Sequence, residues 1–168
     1  VFQDLAFQFN VPTRKMGVFK LFALGGLSGG NSSVDKEEIK NDPTGEYYDD
    51  DYNSNMGVVG LSNQLFLADK TYLKSTLAYS LQNIGFTERL IDNQNFRRNQ
   101  LYKDDFTNSS YRLNSFLNHK FNVRHTIRGG ITLSRLEYNL FAEGEDDEGI
   151  ARVLLEEKGN TNQLQSYA

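Results

Sequence analysis

The feature that most constrains this chain is a period of two in its large apolar side chains. In residues 4 to 11 these side chains alternate with polar or small ones: Leu5, Phe7, Phe9 and Val11. Residues 72 to 82 and 111 to 121 show the same alternation. Successive side chains of a β-strand point to opposite faces, so this period predicts strands with one apolar and one polar face. The sequence therefore predicts an all-β protein.

Short polar turns divide the alternating runs into hairpins. PTRK at residues 12 to 15, ADKT at 68 to 71 and NVRH at 122 to 125 each interrupt a run that resumes at once. The prediction is an antiparallel meander in which each strand pairs with its sequence neighbours. The predicted strands are residues 1 to 11, 16 to 28, 57 to 67, 71 to 85, 108 to 121 and 126 to 142, followed by a seventh strand that contains Tyr167.

The links between the hairpins are much longer than the turns within them. They cover residues 29 to 56, about 86 to 106, and 143 to 162, and we expect them to be loops. Structureless loops of this length are uncommon in compact soluble domains. Alternating short turns and long loops are typical of transmembrane β-barrels, in which the short turns are periplasmic and the long loops extracellular. This pattern predicts a transmembrane β-barrel meander.

A barrel wall in a membrane has one face toward lipid and one toward a wet lumen. The residues predicted to meet lipid are Leu73, Leu77, Leu81, Leu113, Leu117, Ile131 and Leu133. The residues predicted to line the lumen are Lys74, Thr76, Ser80, Arg112, Asn114 and Arg128. Phe116 is an exception, because its position in the alternation places it on the polar side.

The run FKLFALGGLSGGNSS, the repeated passage from a strand through a GG-containing exit into a polar segment, and the terminal TNQLQSYA carry a resemblance to a known family. They resemble the barrel of TonB-dependent outer-membrane receptors, in particular the Bacteroidetes-type group with a carboxypeptidase-regulatory-like domain. The resemblance implies an outer-membrane location, import of a nutrient ligand and coupling to a TonB complex through a plug. No plug domain is found in residues 1 to 168, so we expect a partial barrel domain of about six to seven strands, cut from a longer protein.

Charge is distributed unevenly along the chain. Residues 29 to 56 carry eight acidic side chains against two lysines, and residues 143 to 162 carry seven against two basic ones, within a net charge of −4. Acidic loops repel phosphates, so nucleic-acid binding through them is not expected. The absence of cysteine excludes disulfides, cysteine nucleophiles and thiolate metal sites.

Two groups of acidic residues are candidates for calcium. Asp49, Asp51 and Asn53 match the first three ligand positions of an EF-hand loop, but Ser54 occupies the required glycine position and Gly60 the glutamate position. A looser calcium site remains one interpretation, built from these residues and from Asp146 and Asp147. The alternative is a solvated acidic surface that sets the electric field at the pore mouth. No other cofactor is expected.

Aromatic and basic residues in the predicted loops are candidates for ligand contact. Tyrosines offer flat, adaptable contact surfaces, and loop arginines can either bind a ligand or pair with the acidic loops. The candidates are Tyr47, Tyr48, Tyr52, Tyr102, Arg97 and Arg98. Packing of the loops on each other is the alternative. With the acidic end outermost, neutral or cationic ligands are expected to be favoured over anions.

The two histidines, His119 and His125, flank the NVRH turn, and no acidic residue lies near them in sequence. We interpret them as boundary residues of the turn and not as a metal or catalytic pair. No nucleotide-binding, nucleophile-elbow or zinc-protease motif occurs, so no enzyme is predicted and no catalytic residue is proposed. The alternatives to a receptor are a soluble or surface-displayed all-β binding module, and a passive porin or assembly barrel.

Overall fold

A computed structural model describes residues 2–42, 44–146 and 149–168. The described elements are β1 (Phe2–Pro12), β2 (Val18–Ser32), α1 (Lys36–Asn41), β3 (Tyr48–Ala68), β4 (Thr71–Ile91), β5 (Arg98–Lys120), β6 (Thr126–Glu145) and β7 (Ala151–Tyr167). The strands form one antiparallel sheet in the order β1 to β7, and the sheet is not closed. The predicted all-β meander is confirmed, and the seventh strand contains Tyr167.

The predicted long loops are wrong for most of their length. β3 begins at Tyr48 and β4 ends at Ile91, so residues predicted as loop continue the ladder well beyond the apolar runs. β5 likewise begins at Arg98, and β7 covers most of residues 143 to 162. Among the described residues, the remaining links between hairpins are 33 to 42 with 44 to 47, 92 to 97, and 146 with 149 to 150. Polar residues form these extensions because backbone pairing with a neighbouring strand does not require an apolar face.

The strand register confirms the predicted division of residues between two faces. Every strand contributes one residue to a continuous apolar row, each residue directly opposite the next: Phe9, Leu21, Leu61, Leu77, Leu113, Leu133 and Leu164. All seven residues predicted to meet lipid lie on the face of this row. All six residues predicted to line the lumen lie on the other face, together with Phe116.

The sheet is curved, and the face opposite the leucine row is concave. One cavity on that face is lined by residues of six strands, from Leu24 on β2 to Thr161 on β7. In a flat sheet these strands would span about 24 Å, so a shared cavity requires curvature. Burial agrees, because Ser62, Phe116 and Ser134 on the concave face are buried. Leu77 on the convex face is 56% exposed.

Short turns and a small helix complete the described structure. Gly17 has φ +76 in the turn between β1 and β2, where a Cβ would lie 2.0 Å from the carbonyl oxygen of Gln64, so a side chain is excluded there. In the link to β3, the Asp35 side chain caps α1 by accepting from the Glu37 N–H, and Ile39 is buried. No helix in the described parts of the chain is long and apolar enough to cross a membrane.

Candidate ligand-binding surface

The extended strands bring aromatic and acidic residues together on the concave face. Tyr52 lies directly opposite Phe86, and Phe86 lies opposite Asp104. One row further from the short turns, Asp50 lies opposite Glu88, which in turn lies opposite Tyr102. With Tyr48, which precedes Asp50 on this face of β3, these residues form what we call the aromatic–acidic cluster: Tyr48, Asp50, Tyr52, Phe86, Glu88, Tyr102 and Asp104.

Contacts within the cluster hold the rings close to the wall of the sheet. The rings of Phe86 and Tyr102 have centroids 6.3 Å apart, and the Tyr102 hydroxyl donates to Asp104 Oδ2 at 3.3 Å. The Tyr52 ring lies over Gly30 of the neighbouring strand, where an added Cβ would come within 2.8 Å of it. The ring thus lies along the sheet, and Tyr52 is still 54% exposed. Such rings present flat faces to the concave space.

The cluster is electrostatically negative. Asp50 and Glu88 are directly opposite each other, an arrangement in which like charges repel. In the described residues, neither they nor Asp104 form an ion pair. One carboxylate oxygen of Asp50, Oδ1, is shielded from solvent and has no hydrogen-bond partner among the described atoms. A cationic or hydrogen-bond-donating ligand would relieve this excess of acceptors.

The pKa values of two tyrosines in the cluster are raised, in part by neighbouring carboxylates. The pKa of Tyr48 is raised above its ordinary value because its hydroxyl donates to Glu46, whose charge and that of Glu88 also oppose ionisation. Partial burial raises the pKa of Tyr102, with a further contribution from the charge of Asp104. In both tyrosines neighbouring carboxylates disfavour a further negative charge.

A separate network lies on the convex face of the same strands. Asp49 is 5% exposed, pairs with Arg98 and accepts a hydrogen bond from the Val34 N–H at 3.1 Å. Asp51 pairs with Arg89 at 2.5 Å. Pairing with the acidic segment, one of the two roles predicted for the loop arginines, is therefore found for Arg98, and Arg89 pairs with the same segment, although both lie in strands. The Val34 contact ties the start of the link before β3 to the convex side, and these contacts leave the aromatic–acidic cluster uncovered.

The tyrosine candidates divide into two groups. Tyr48, Tyr52 and Tyr102 lie in strands and not in loops, which corrects their predicted placement, and they belong to the cluster. Tyr47 lies in the link before β3, where its hydroxyl donates to the Asp42 carbonyl at 2.9 Å. Tyr47 thus stabilises the segment around α1.

The arginine candidates do not join the cluster. Arg97 lies in the link between β4 and β5, where its N–H donates to Asn95 Oδ1 at 2.8 Å. Arg98 belongs to the convex network through Asp49. A ligand-contact role for either arginine is separate from the aromatic–acidic cluster.

The residues proposed for calcium are dispersed. Asp49 and Asp51 face arginines, and the Asn53 side chain lies against Gly85. Asp146 accepts from the Ile150 N–H at 2.9 Å and pairs with Arg152, whereas Asp147 lies outside the described residues. No group of three or more acidic or histidine side chains in the described ranges is placed to hold a metal ion. Calcium binding stays a prediction.

Both histidines have roles in or beside a turn. The His119 ring nitrogen Nδ1 lies 2.7 Å from the Thr71 hydroxyl, and its ring packs edge-on against Phe121 at 4.4 Å. His125 closes the turn, since its carbonyl accepts from the Phe121 N–H at 3.0 Å. The geometry agrees with the interpretation of these residues as boundary residues of a turn.

Sequence reasoning did not select Asp50, Phe86, Glu88 or Asp104. All four lie in segments that were predicted as loops. In a loop, whether a residue number is odd or even does not indicate the face on which its side chain lies. The signal was present, since these residues keep the even numbering of the polar face within β3, β4 and β5. Continuing the alternation of each strand outward would have found them.

Comparisons with protein-family models, with curated proteins and with solved structures give no match to this chain.

Proposed function

We propose that this chain forms part of the wall of an outer-membrane β-barrel receptor that imports a nutrient ligand. The convex face with the leucine row faces lipid, and the concave face borders the lumen. Import and coupling to a TonB complex come from the family resemblance of the sequence. The orientation in a membrane is supported by the shape of the apolar surface.

The observation that carries the proposal concerns the apolar band, which is the set of large apolar side chains around the leucine row on the convex face. Its upper edge, the one away from the short turns, runs obliquely across the strands. On β3 and β4 the first polar residues above the band are Asn55 and Asn83, which lie directly opposite each other. On β5 the first is Ser109, one row lower, opposite Leu81. On β6 it is Arg135, a further row lower, opposite Tyr111. From β4 to β6 the edge descends by one row per strand toward the short turns, and on β7 it stays level, at Asn162 opposite Arg135.

The slope of this edge has the size expected for tilted strands in a bilayer. Between β3 and β6 the edge falls by two rows, about 13 Å along the strands, over three strand spacings of about 14 Å in total. A boundary perpendicular to the barrel axis would show this slope if the strands were tilted by roughly 40°, the tilt of outer-membrane barrels. The first two short turns are offset in the same sense, since Val18 at the start of β2 lies opposite Gln64, before the end of β3, whereas the second and third turns lie level, with Thr71 opposite His119.

The aromatic–acidic cluster supports a binding role at the end of the wall away from the short turns. It lies on the concave face, above the level of the oblique edge, and combines exposed rings with three carboxylates that lack ion pairs among the described residues. Rings and carboxylates together favour cations or neutral polyhydroxyl compounds, and they disfavour anions. We therefore place ligand contact at this cluster, with no catalytic step.

The proposal is tested by measuring which side chains contact lipid. Because the chain has no cysteine, single cysteines can carry a bimane fluorophore in the intact protein, reconstituted in vesicles with brominated lipids. We expect strong quenching at Leu77→Cys and weak quenching at the adjacent Thr76→Cys, whose side chain lies on the concave face. Equal, weak quenching at both sites, with a protein that stays monodisperse without detergent, would instead favour a soluble all-β binding module.

A further inference from the structure

A depression interrupts the convex face where two glycines lie side by side. Gly25 on β2 is directly opposite Gly57 on β3, and their outer neighbours in the same row are Leu5 on β1 and Leu81 on β4. The depression has a volume of about 420 Å³. Its floor is formed by backbone, and its walls are mainly aliphatic side chains, with Tyr79, Asn55 and Asn83 among them.

The space above Gly57 is not needed for strand packing. An added Cβ there would meet no atom nearer than 3.9 Å, whereas one at Gly25 would lie 3.3 Å from the Met56 carbonyl oxygen. A glycine inside a strand weakens the strand because it has no side chain to pack. Close backbone approach therefore accounts for Gly25 but not for Gly57, and the missing side chain of Gly57 keeps the depression open.

The lining of the depression indicates an uncharged, apolar occupant. None of the described residues that line it carries a charge, and its only amides are Asn55 and Asn83. These two lie directly opposite each other, one row above the glycines, at the oblique edge of the apolar band. Asn83 Nδ2 already donates to Asp105 and Thr107, which leaves the Asn55 amide as the polar group nearest the upper end.

We infer that this depression binds one acyl chain of a membrane lipid, with the ester end of the lipid at Asn55. The inference rests on the proposed lipid-facing orientation of the convex face. Continuity with the apolar band brings lipid chains to the depression, and the amide at its upper end can donate to an ester carbonyl at the depth where the band ends. The absence of charge in the lining sets this site apart from a headgroup site.

Native mass spectrometry of the intact detergent-solubilised protein with added phosphatidylethanolamine tests the inference. Gly57→Leu fills the depression and should lose the phospholipid that the wild-type protein retains under collisional activation. Gly129→Leu is the matched control, since Gly129 lies on the same face of β6, where its Cβ would meet no atom nearer than 3.4 Å, and should retain it. Gly57→Ala adds only a Cβ and is the milder variant, used in case Gly57→Leu does not fold. It should retain less lipid than the wild type.

The outcomes separate this inference from the proposed function. Equal retention by all four proteins would overturn the acyl-chain site, while quenching at Leu77→Cys and not at Thr76→Cys would still support the membrane orientation. Absence of quenching at both cysteines would remove both proposals. The wild type could instead retain no lipid and form a dimer that Gly57→Leu converts to a monomer. That result would overturn the acyl-chain site and show that a second copy of the chain occupies the depression.

Discussion

Leu81 and Glu137 lie in the same row of the convex face, joined through Ser109, which is directly opposite both. One side chain is apolar and the other is charged, although the sheet places them at the same level along the strands. The difference arises because the apolar band crosses the rows obliquely. In the tilted barrel wall that we propose, these two residues would lie at different depths in the bilayer.

The first prediction compares the depths of these two residues in the bilayer. In the intact protein reconstituted with lipids brominated near the headgroup or near the chain end, bimane at Leu81→Cys should be quenched within the hydrocarbon region. Bimane at Glu137→Cys should be quenched weakly by bromine near the chain end, because in the proposed orientation this position would lie in the headgroup region or outside the bilayer. Equal depth at the two sites would show that rows run parallel to the membrane and would contradict the tilt argument.

The second prediction concerns the cost of a charge on each face. Leu77→Arg should lower the free energy of unfolding from lipid vesicles by about 2 to 4 kcal/mol, because in the proposed orientation the arginine would face hydrocarbon near mid-membrane. Thr76→Arg should cost far less, since its neighbours on the concave face include the polar residues Ser62 and Asn114. Denaturant titration in vesicles measures both variants. A similar cost at the two sites would argue against a one-sided lipid face.

The third prediction concerns the buried carboxylate of Asp49. Asp49→Asn removes the charge that pairs with Arg98 and weakens the hydrogen bond from the Val34 N–H. We expect a loss of about 1 to 2 kcal/mol in local stability, discounted because the Arg98 side chain is 45% exposed. Hydrogen exchange at Val34 measures this change. Asp51→Asn is the control, because its pair with Arg89 is half-exposed and should change exchange little.

The fourth prediction concerns alkaline titration of Tyr48. Its raised pKa favours the neutral form in the folded state, so this contribution to stability is present below pH 10.0, the ordinary value, and is lost as the pH rises through the folded-state pKa. Glu46→Gln should lower the Tyr48 pKa toward 10.0 because it removes the charged acceptor of the hydroxyl. Tyrosinate absorbance, compared with a Tyr48→Phe background, reports this shift. An unchanged titration would show that Glu46 does not set it.

The fifth prediction concerns ligand charge at the aromatic–acidic cluster. Benzylammonium should bind more tightly than benzoate, and saturation-transfer NMR with the intact protein can compare the two probes. The double variant Asp50→Asn, Glu88→Gln should weaken benzylammonium binding severalfold and reduce the preference. Asp51→Asn removes one charge from the same segment but on the opposite face, so it should leave binding unchanged. Equal effects of both changes would indicate only a diffuse field and not a site.

Replacement of residues 46 to 53 as a unit is a poor test of ligand binding. Residues 48 to 53 belong to β3 and pair with β4, and residues 50 to 53 also pair with β2. A Gly/Ser linker there would remove ladder hydrogen bonds as well as side chains. Point substitutions that keep the strand, such as Tyr52→Ser, isolate the contribution of the ring.

The sequence by itself determined the strand class, the order of pairing and the two faces. A period of two fixes which side chains share a face, and a short turn makes the two strands of each hairpin antiparallel neighbours. The predicted exception in the alternation is also confirmed. Phe116 lies on the concave face, where the Arg128 guanidinium lies over its ring at 3.7 Å. These features are local, and local patterns encode them.

Only the tertiary structure decided where the strands end and which acids act together. Backbone pairing between β3, β4 and β5 extends the sheet through segments rich in polar residues, where no continuous apolar alternation marks a strand, and this extension converts predicted loops into ordered strands. It places Asp49 and Asp51 on the convex face against arginines, and Asp50 on the concave face opposite Glu88. Neighbours in sequence are thus separated by the sheet, because adjacent residues of a strand point to opposite sides and their partners come from other strands.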